Sequence, residues 1–376
     1  MTHLVCTQTG ERYSADDPRW RSEGGHLLDL EHDGTFHPAK VAERKPTMWR
    51  YREALPLNND ANIVTYDEGF TPLISLDIDG KPVLFKQDYL FPTGSYKDRG
   101  ASLLISKVKE LGIDSVIQDS SGNAGSAVAA YCARAGIRCH ILVPEQTANE
   151  KLAQIRSYGA VLTTVRGSRR DTAAAALHEA THTYYASHCW NPFFLHGTKT
   201  FAFEICEQLG WRAPDTVILP VGNGTLLLGA YIGFRELRAA SAIEHVPRLI
   251  GVQAARCAPL HAAIQNPSAI GNPPSWSKTL AEGIAIENPV RADQIIQAVR
   301  FTEGEIIAVE EQEIAESLNY TSRRGFYIEP TAAACVAGVR QYVKRCPRDE
   351  SIVSALTGHG LKTGGKTAAL PPSGQG

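Results

Sequence analysis

The chain reads as an α/β protein of two lobes, each with a central, mostly parallel sheet flanked by helices. Three observations predict it. With 376 residues the chain exceeds what one ordinary hydrophobic core organises. From about residue 61 onward, short runs that are apolar throughout alternate with segments of helical period, as expected of strands covered on both faces. Glycine-rich turns follow several of these runs and precede helical segments, the arrangement of an α/β sheet.

Residues 1–60 are polar, spotted with aromatics and weakly periodic, so they read as a segment that wraps the body and not as a separate domain. Strands are expected at Val83–Lys86, Ser115–Gln118, Cys139–Val143, Val161–Val165, Thr183–Ala186, Thr216–Leu219, Arg248–Val252, Ile306–Val309 and Ile352–Leu356. Helices are expected at Lys97–Leu111, Ala124–Ala135, Asn149–Tyr158, Asp171–Thr181, Thr198–Leu209, Leu226–Ala239, Glu311–Arg323 and Thr331–Lys344. The tail, 364–376, is rich in Gly, Pro, Ser and Ala and is expected to be disordered.

Composition narrows the function. A net charge of −2 gives no basic surface for nucleic acid or anionic membranes. No apolar run reaches spanning length, and the start, Met-Thr-His-Leu-Val-Cys, lacks the features of a secretory signal. The eight cysteines are scattered, and Cys132, Cys139, Cys206 and Cys335 sit in apolar runs, as expected of free thiols in a reducing cytoplasm.

Four loops carry chemistry. In Pro92-Thr-Gly-Ser-Tyr-Lys-Asp-Arg-Gly100, Lys97 follows a Gly-Ser turn and opens a helix. An amine there feels the positive end of the helix, which disfavours its protonated form and suits it to bind an aldehyde cofactor such as pyridoxal phosphate (PLP). Asp119-Ser-Ser-Gly-Asn-Ala-Gly-Ser126 follows a strand and opens a helix. Its hydroxyls and free N–H groups suit a carboxylate, and Asn123 could donate to a phenolic oxygen. Pro220-Val-Gly-Asn-Gly-Thr225 offers a phosphate cradle but fits neither the Walker nor the dinucleotide pattern. In Leu356-Thr-Gly-His-Gly-Leu-Lys362, Thr357 could face a pyridine nitrogen, and a hydroxyl partner there would leave that nitrogen neutral. Each loop taken singly is also an ordinary turn.

Together, in this order, the loops resemble the fold-type II PLP enzymes of the tryptophan synthase β superfamily, and most closely the threonine synthase branch. The carriers are Glu68-Gly-Phe-Thr-Pro-Leu73, the Pro92–Gly100 stretch, Ser120–Ser126, Pro220–Thr225, Glu329-Pro-Thr331 and Thr357–Lys362, spanning most of the chain. The resemblance implies that Lys97 forms the Schiff base and carries protons. It implies that Asn123 bonds the ring oxygen, and that Gly222, Asn223, Gly224 and Thr225 hold the cofactor phosphate. Thr357 would face the ring nitrogen, and Ser120, Ser121 and Gly122 would hold the substrate carboxylate. It also implies a large PLP-binding lobe of 61–100 with 196–363, a smaller mobile lobe of 101–195, and a homodimer.

The chain departs from that family at three places. Ala124 stands where threonine synthases carry a hydroxyl. The family's Asn-Ser-x-Asn-Pro-x-Arg-Leu-x-Gly segment is His188-Cys-Trp-Asn-Pro-Phe-Phe-Leu-His-Gly197, so Cys189 replaces the serine and Phe194 the arginine. Phenylalanine cannot make the bidentate bond that suits arginine to phosphate. Ala124, Cys189 and Phe194 are therefore expected to line an altered substrate site, with Lys199 or Arg256 as cations that could compensate. Of the four cysteines of the family's zinc ribbon only Cys6 remains, so the start reads as a degenerate ribbon without metal. The expected function is a PLP-dependent lyase or synthase acting at the β or γ carbon of a small amino acid. A dehydratase, an ammonia-lyase, a cysteate-synthase-like enzyme and a non-catalytic amino-acid sensor of the same fold stay open. His182, His188 and His196 have no metal spacing and read as surface or core histidines. Glu329 reads as a pocket wall or a helix-entry residue, and the role of His359 is left open.

Overall fold

The computed structural model describes residues 2–265 and 276–363, so the expected tail at 364–376 lies outside the described residues. The described residues group into two compact units, one from the stretches up to 70, 91–212 and 229–244, the other from 71–90, 213–228 and the described residues from 245 onward. These boundaries cut across the lobes expected from the sequence.

The first unit holds a four-stranded parallel sheet in the order Val161–Val165, Arg138–Pro144, Ser115–Gln118, Tyr184–Tyr185. The helices Lys97–Glu110 and Asn123–Ala135 bury Leu104, Val108, Val128 and Tyr131 in one apolar cluster with Val116, Ile141 and Val143 of that sheet. The second helix ends on Gly136 in the left-handed conformation, where glycine costs nothing. The helix Pro192–Thr198 crosses Lys97–Glu110 at a pair of glycines. A Cβ on Gly197 would overlap the Arg99 carbonyl, and one on Gly100 would overlap the Phe194 ring. This short helix was not anticipated, and the expected helix Thr198–Leu209 is replaced by Pro192–Thr198 and Thr200–Gln208. Its start is nonetheless regular, because Asn191 caps it by accepting from the Phe193 N–H at 3.1 Å and Pro192 takes the first turn.

The N-terminal segment is more ordered than its polar sequence suggests. Thr2–Cys6, Arg12–Ser14 and Leu28–His32 form an antiparallel sheet that places Leu4, Cys6, Leu28 and Leu30 in the core of this unit.

The second unit is built on a six-stranded sheet in the order Glu305–Val309, Arg248–Ala254, Thr216–Pro220, Ile352–Ala355, Lys81–Lys86, Leu73–Ile78. All neighbours are parallel except the last pair. The edge strand Leu73–Ile78 escaped prediction because only Ile78 of its six residues is fully buried. The helix Pro330–Val343 packs Ala333, Val336 and Val339 on the sheet with Ile218, Ile250 and Val252. Chain order runs outward from Thr216–Pro220 to Glu305–Val309 and then returns to Ile352–Ala355 on the other side. The direction of winding therefore reverses between Thr216–Pro220 and Ile352–Ala355. At such a switch point the loops leaving the carboxyl ends part and open a crevice.

Candidate active site

Each unit holds one group of the residues singled out by sequence. In the first unit, Lys97 opens its helix, half-buried, with its Nζ 4.6 Å from the Tyr96 ring centre and 5.6 Å from that of Phe194. The loop before it is fixed by Asp98, whose carboxylate accepts from the Thr93 N–H at 2.9 Å and also from the Thr93 hydroxyl. Ser120 is buried, and its hydroxyl accepts from the Gly122 N–H at 3.3 Å. Asn123 begins the helix behind Gly122, and Ala124 is buried. Gly125 can only be glycine, since a Cβ would overlap the Ser120 carbonyl.

The segment 187–199 gives the first unit its distinctive wall. Phe194 is wholly buried against Gly100. Cys189 and His188 are both buried, with Sγ 3.1 Å from Nε2. His188, read from sequence as a surface or core histidine, lies 6.0 Å from Phe194 ring to ring. Burial holds its pKa well below the ordinary 6.5, helped by the charges of Lys97 and Arg169, so the imidazole is neutral at neutral pH. Its place in the segment, where the family pattern has asparagine, was legible in the sequence; its pairing with Cys189 was not. Lys199 is not an available cation. It is fully buried and donates to Glu236 Oε1 at 2.8 Å, with His196 Nδ1 at 3.1 Å. Burial lowers its pKa and raises that of Glu236.

In the second unit, Gly222–Thr225 leaves the strand Thr216–Pro220 and enters the helix Thr225–Ala239. Thr357 leaves the strand Ile352–Ala355. These strands are neighbours, paired through Thr216 with Ile352 and Ile218 with Ser354. Register thus brings the glycine loop and Thr357 out side by side at the switch point. Gly224 has φ +73°, and a Cβ on it would overlap Ile295. A Cβ on Gly222 would lie 2.9 Å from Ile286 and 3.0 Å from the Ile284 backbone. Thr225 and Thr357 are buried. Arg256, the other cation considered, is exposed and donates to the Lys278 carbonyl at 3.2 Å.

Each group, taken within its own unit, has chemistry that pyridoxal phosphate needs. A phosphate needs closely approaching backbone N–H groups at a helix start, which a glycine loop ahead of Thr225 provides. The aldehyde needs an amine, and in the first unit Lys97 could provide one. The Ser95 hydroxyl, two residues before that amine, is wholly buried with no hydrogen-bond partner among the described residues, a polar atom left for a ligand.

The fold and these loops define the class: an α/β enzyme with its ligand loops at the carboxyl ends of parallel strands. More particularly, residues 64–358 match the family model described as pyridoxal-phosphate dependent enzyme, and the chain belongs to that family. It is 36% identical over 372 residues to a threonine synthase of Methanocaldococcus jannaschii, covering 95% of this chain and 92% of that one. It is 38% identical over 322 residues to a threonine synthase of Synechocystis sp., covering 83% and 82%. Its fold is that of the maize serine racemase structure, with a TM-score of 0.67 at 22% identity, over 84% of this chain and 94% of that one. The chain is thus a PLP-dependent lyase of threonine synthase-like type with the fold-type II architecture. Among the described residues no helix is long and apolar enough to cross a membrane.

Proposed function

We propose that the enzyme acts at the β or γ carbon of a small amino acid whose leaving group is not the phosphate ester that a clamping arginine would hold. One observation carries this reading: Phe194, standing where the family pattern has arginine, is fully buried against Gly100 and presents no charge. Lys199 does not substitute, since its ammonium is paired with Glu236 in the interior. Loss of a charged hydrogen bond to the leaving group costs roughly 1.5–3 kcal/mol, enough to shift preference between substrates by one to two orders of magnitude.

The residues take the following roles. Bound PLP supplies an electron sink for negative charge at the α carbon. Lys97 would hold the cofactor aldehyde through its amine, and the same amine is placed to carry the proton of the substrate α carbon. Ser120, Ser121 and Gly122, ahead of the helix Asn123–Ala135, bind the substrate carboxylate with hydroxyl and N–H donors. Asn123 would bond the ring oxygen. Gly222, Asn223, Gly224 and Thr225 would hold the cofactor phosphate, and Thr357 would partner the ring nitrogen. Ala124, Cys189 and Phe194 shape the space for the substrate side chain, and neutral His188 beside Cys189 adds a polar group there. The reading includes a cytoplasmic homodimer, checked by sedimentation equilibrium.

The test is a steady-state assay with O-phosphohomoserine, O-phosphoserine, serine, threonine and diaminopropionate. Turnover of an unphosphorylated substrate with kcat/KM well above that of O-phosphohomoserine is expected. The 36% identity to a threonine synthase favours a second reading, threonine formation with the phosphate held by other groups. Phosphate release from O-phosphohomoserine at an ordinary enzymic rate would establish that one and end the first.

A further inference from the structure

We propose that the enzyme carries a second binding site, for a free amino acid with an apolar side chain, at the end of the six-stranded sheet opposite the cofactor loops.

The loops that enter Thr216–Pro220, Arg248–Ala254, Glu305–Val309 and Ile352–Ala355 border a cavity of about 490 Å³. These four strands are parallel neighbours in the second unit. The cavity lies at their amino ends, whereas the glycine loop and Thr357 leave at the carboxyl ends. The five residues of Thr216–Pro220 put roughly 16 Å of extended strand between the two.

Two side chains that line this cavity have bonding capacity the protein leaves unused. The Glu350 side chain is only 6% exposed. Its Oε1 accepts from the Tyr342 hydroxyl at 2.7 Å and from the Thr216 hydroxyl. Its Oε2 is also buried and has no partner among the described residues. A buried carboxylate oxygen without a donor is destabilising, and an ammonium would relieve it. Arg248 has the complementary surplus. Its Nη1 donates to the Tyr342 hydroxyl at 3.0 Å and lies 3.5 Å from Glu350 Oε1. Its Nε and Nη2 have no partner among the described residues, and the side chain is 41% exposed. Those two atoms form the fork that takes a carboxylate bidentately.

The fork and the orphaned acceptor stand on touching side chains, so a carboxylate and an ammonium borne on one carbon would serve both. Four carboxylates, of Asp215, Glu303, Asp349 and Glu350, line the cavity against one arginine. That balance holds an ammonium and rejects a simple anion. No group among the described residues could hold a metal ion, so the cation that fits is organic. Phe301, 63% exposed, and Val246 give an apolar wall for the ligand's side chain.

The experiment is equilibrium dialysis of the PLP-loaded enzyme with radiolabelled L-leucine, L-valine and L-phenylalanine, none of which carries a leaving group on its β or γ carbon. Cofactor absorbance is recorded alongside. At least one of the three is expected to bind once per chain with a Kd of about 1 mM or tighter. Arg248→Met and Glu350→Gln are each expected to weaken that binding roughly tenfold or more, and Phe301→Ser severalfold. No binding by any of the three overturns the proposal. Binding that all three variants leave unchanged also overturns it, and a change in cofactor absorbance then places that binding in the active site. Should Arg248→Met or Glu350→Gln fail to fold, Phe301→Ser decides, because it alters an exposed position. The leaving-group reading is tested separately, by turnover, and neither result here bears on it.

Discussion

At the scale of single residues, the wall beside Lys97 is packing as much as chemistry. Phe194 fills the space left by Gly100 inside the apolar cluster of the first unit. Phe194→Ala is expected to cost about 3–5 kcal/mol of stability, read as a lowered denaturation midpoint. Gly224 is constrained twice, by its positive φ and by Ile295. Gly224→Ala is expected to cost roughly 1–3 kcal/mol in backbone strain and to weaken PLP binding at least tenfold by absorbance titration. Lys97→Ala is expected to lower kcat by a factor on the order of 10²–10⁴, and borohydride should no longer fix the cofactor to the peptide around residue 97. Lys97 and Gly224 were singled out in the sequence because each stands at a glycine-bearing turn ahead of a helix. The part of His188 was not legible, because a buried histidine looks in sequence like any other. Nor was the fate of Lys199, which depends on a glutamate 37 residues away.

Between elements, a buried ion pair joins two helices of the first unit. Arg99 donates to both oxygens of Glu204, at 2.6 and 2.8 Å, and both side chains are fully buried. The guanidinium also lies 4.8 Å from the Phe91 ring centre. Removing one partner strands the other charge in the interior, so Arg99→Leu and Glu204→Leu are each expected to cost about 3–5 kcal/mol in denaturant unfolding. The double variant should lose less than the sum of the two. Arg99 stands in the same helical turn as Lys97, so stability and chemistry share one stretch of chain. The strands and helices expected for the parallel sheets fall within a residue or two of those observed, since continuous apolar runs and glycine turns mark them, but the helix Ala292–Phe301 was not expected. The N-terminal antiparallel sheet was missed because its strands have three to five residues and keep polar side chains on one face. Arg99 has its partner 105 residues away, a distance at which local pattern carries no information.

Over the whole molecule, buried titratable groups couple folding to pH. His188 is held neutral in the fold, its pKa well below the 6.5 it has when exposed. Below 6.5 the unfolded chain takes up a proton that the folded chain refuses, so stability falls as pH falls from 6.5 toward the folded value and gains nothing above 6.5. The denaturation midpoint is expected to drop between pH 7 and 5, with a shallower slope in His188→Gln. Glu53 acts at lower pH: hydrogen bonding from Arg44 brings it down to about 2, so its contribution holds above its ordinary 4.5 and is lost as pH falls toward 2. The division into units was the least legible feature, because each is assembled from three separated stretches and only tertiary contact reveals which belong together. The same enclosure governs the cysteines. All eight are free, and seven are buried. Burial pushes the Cys335 thiol up to about 12 and that of Cys257 to about 11, far from the reactive thiolate at neutral pH. Cys6 differs, since against the raising effect of burial hydrogen bonds from Thr9 bring its thiol down to about 7. An alkylating dye added to the native enzyme should therefore mark Cys346 first, then Cys6, and the other six only as fast as the interior breathes, giving the protein six built-in clocks for its own opening.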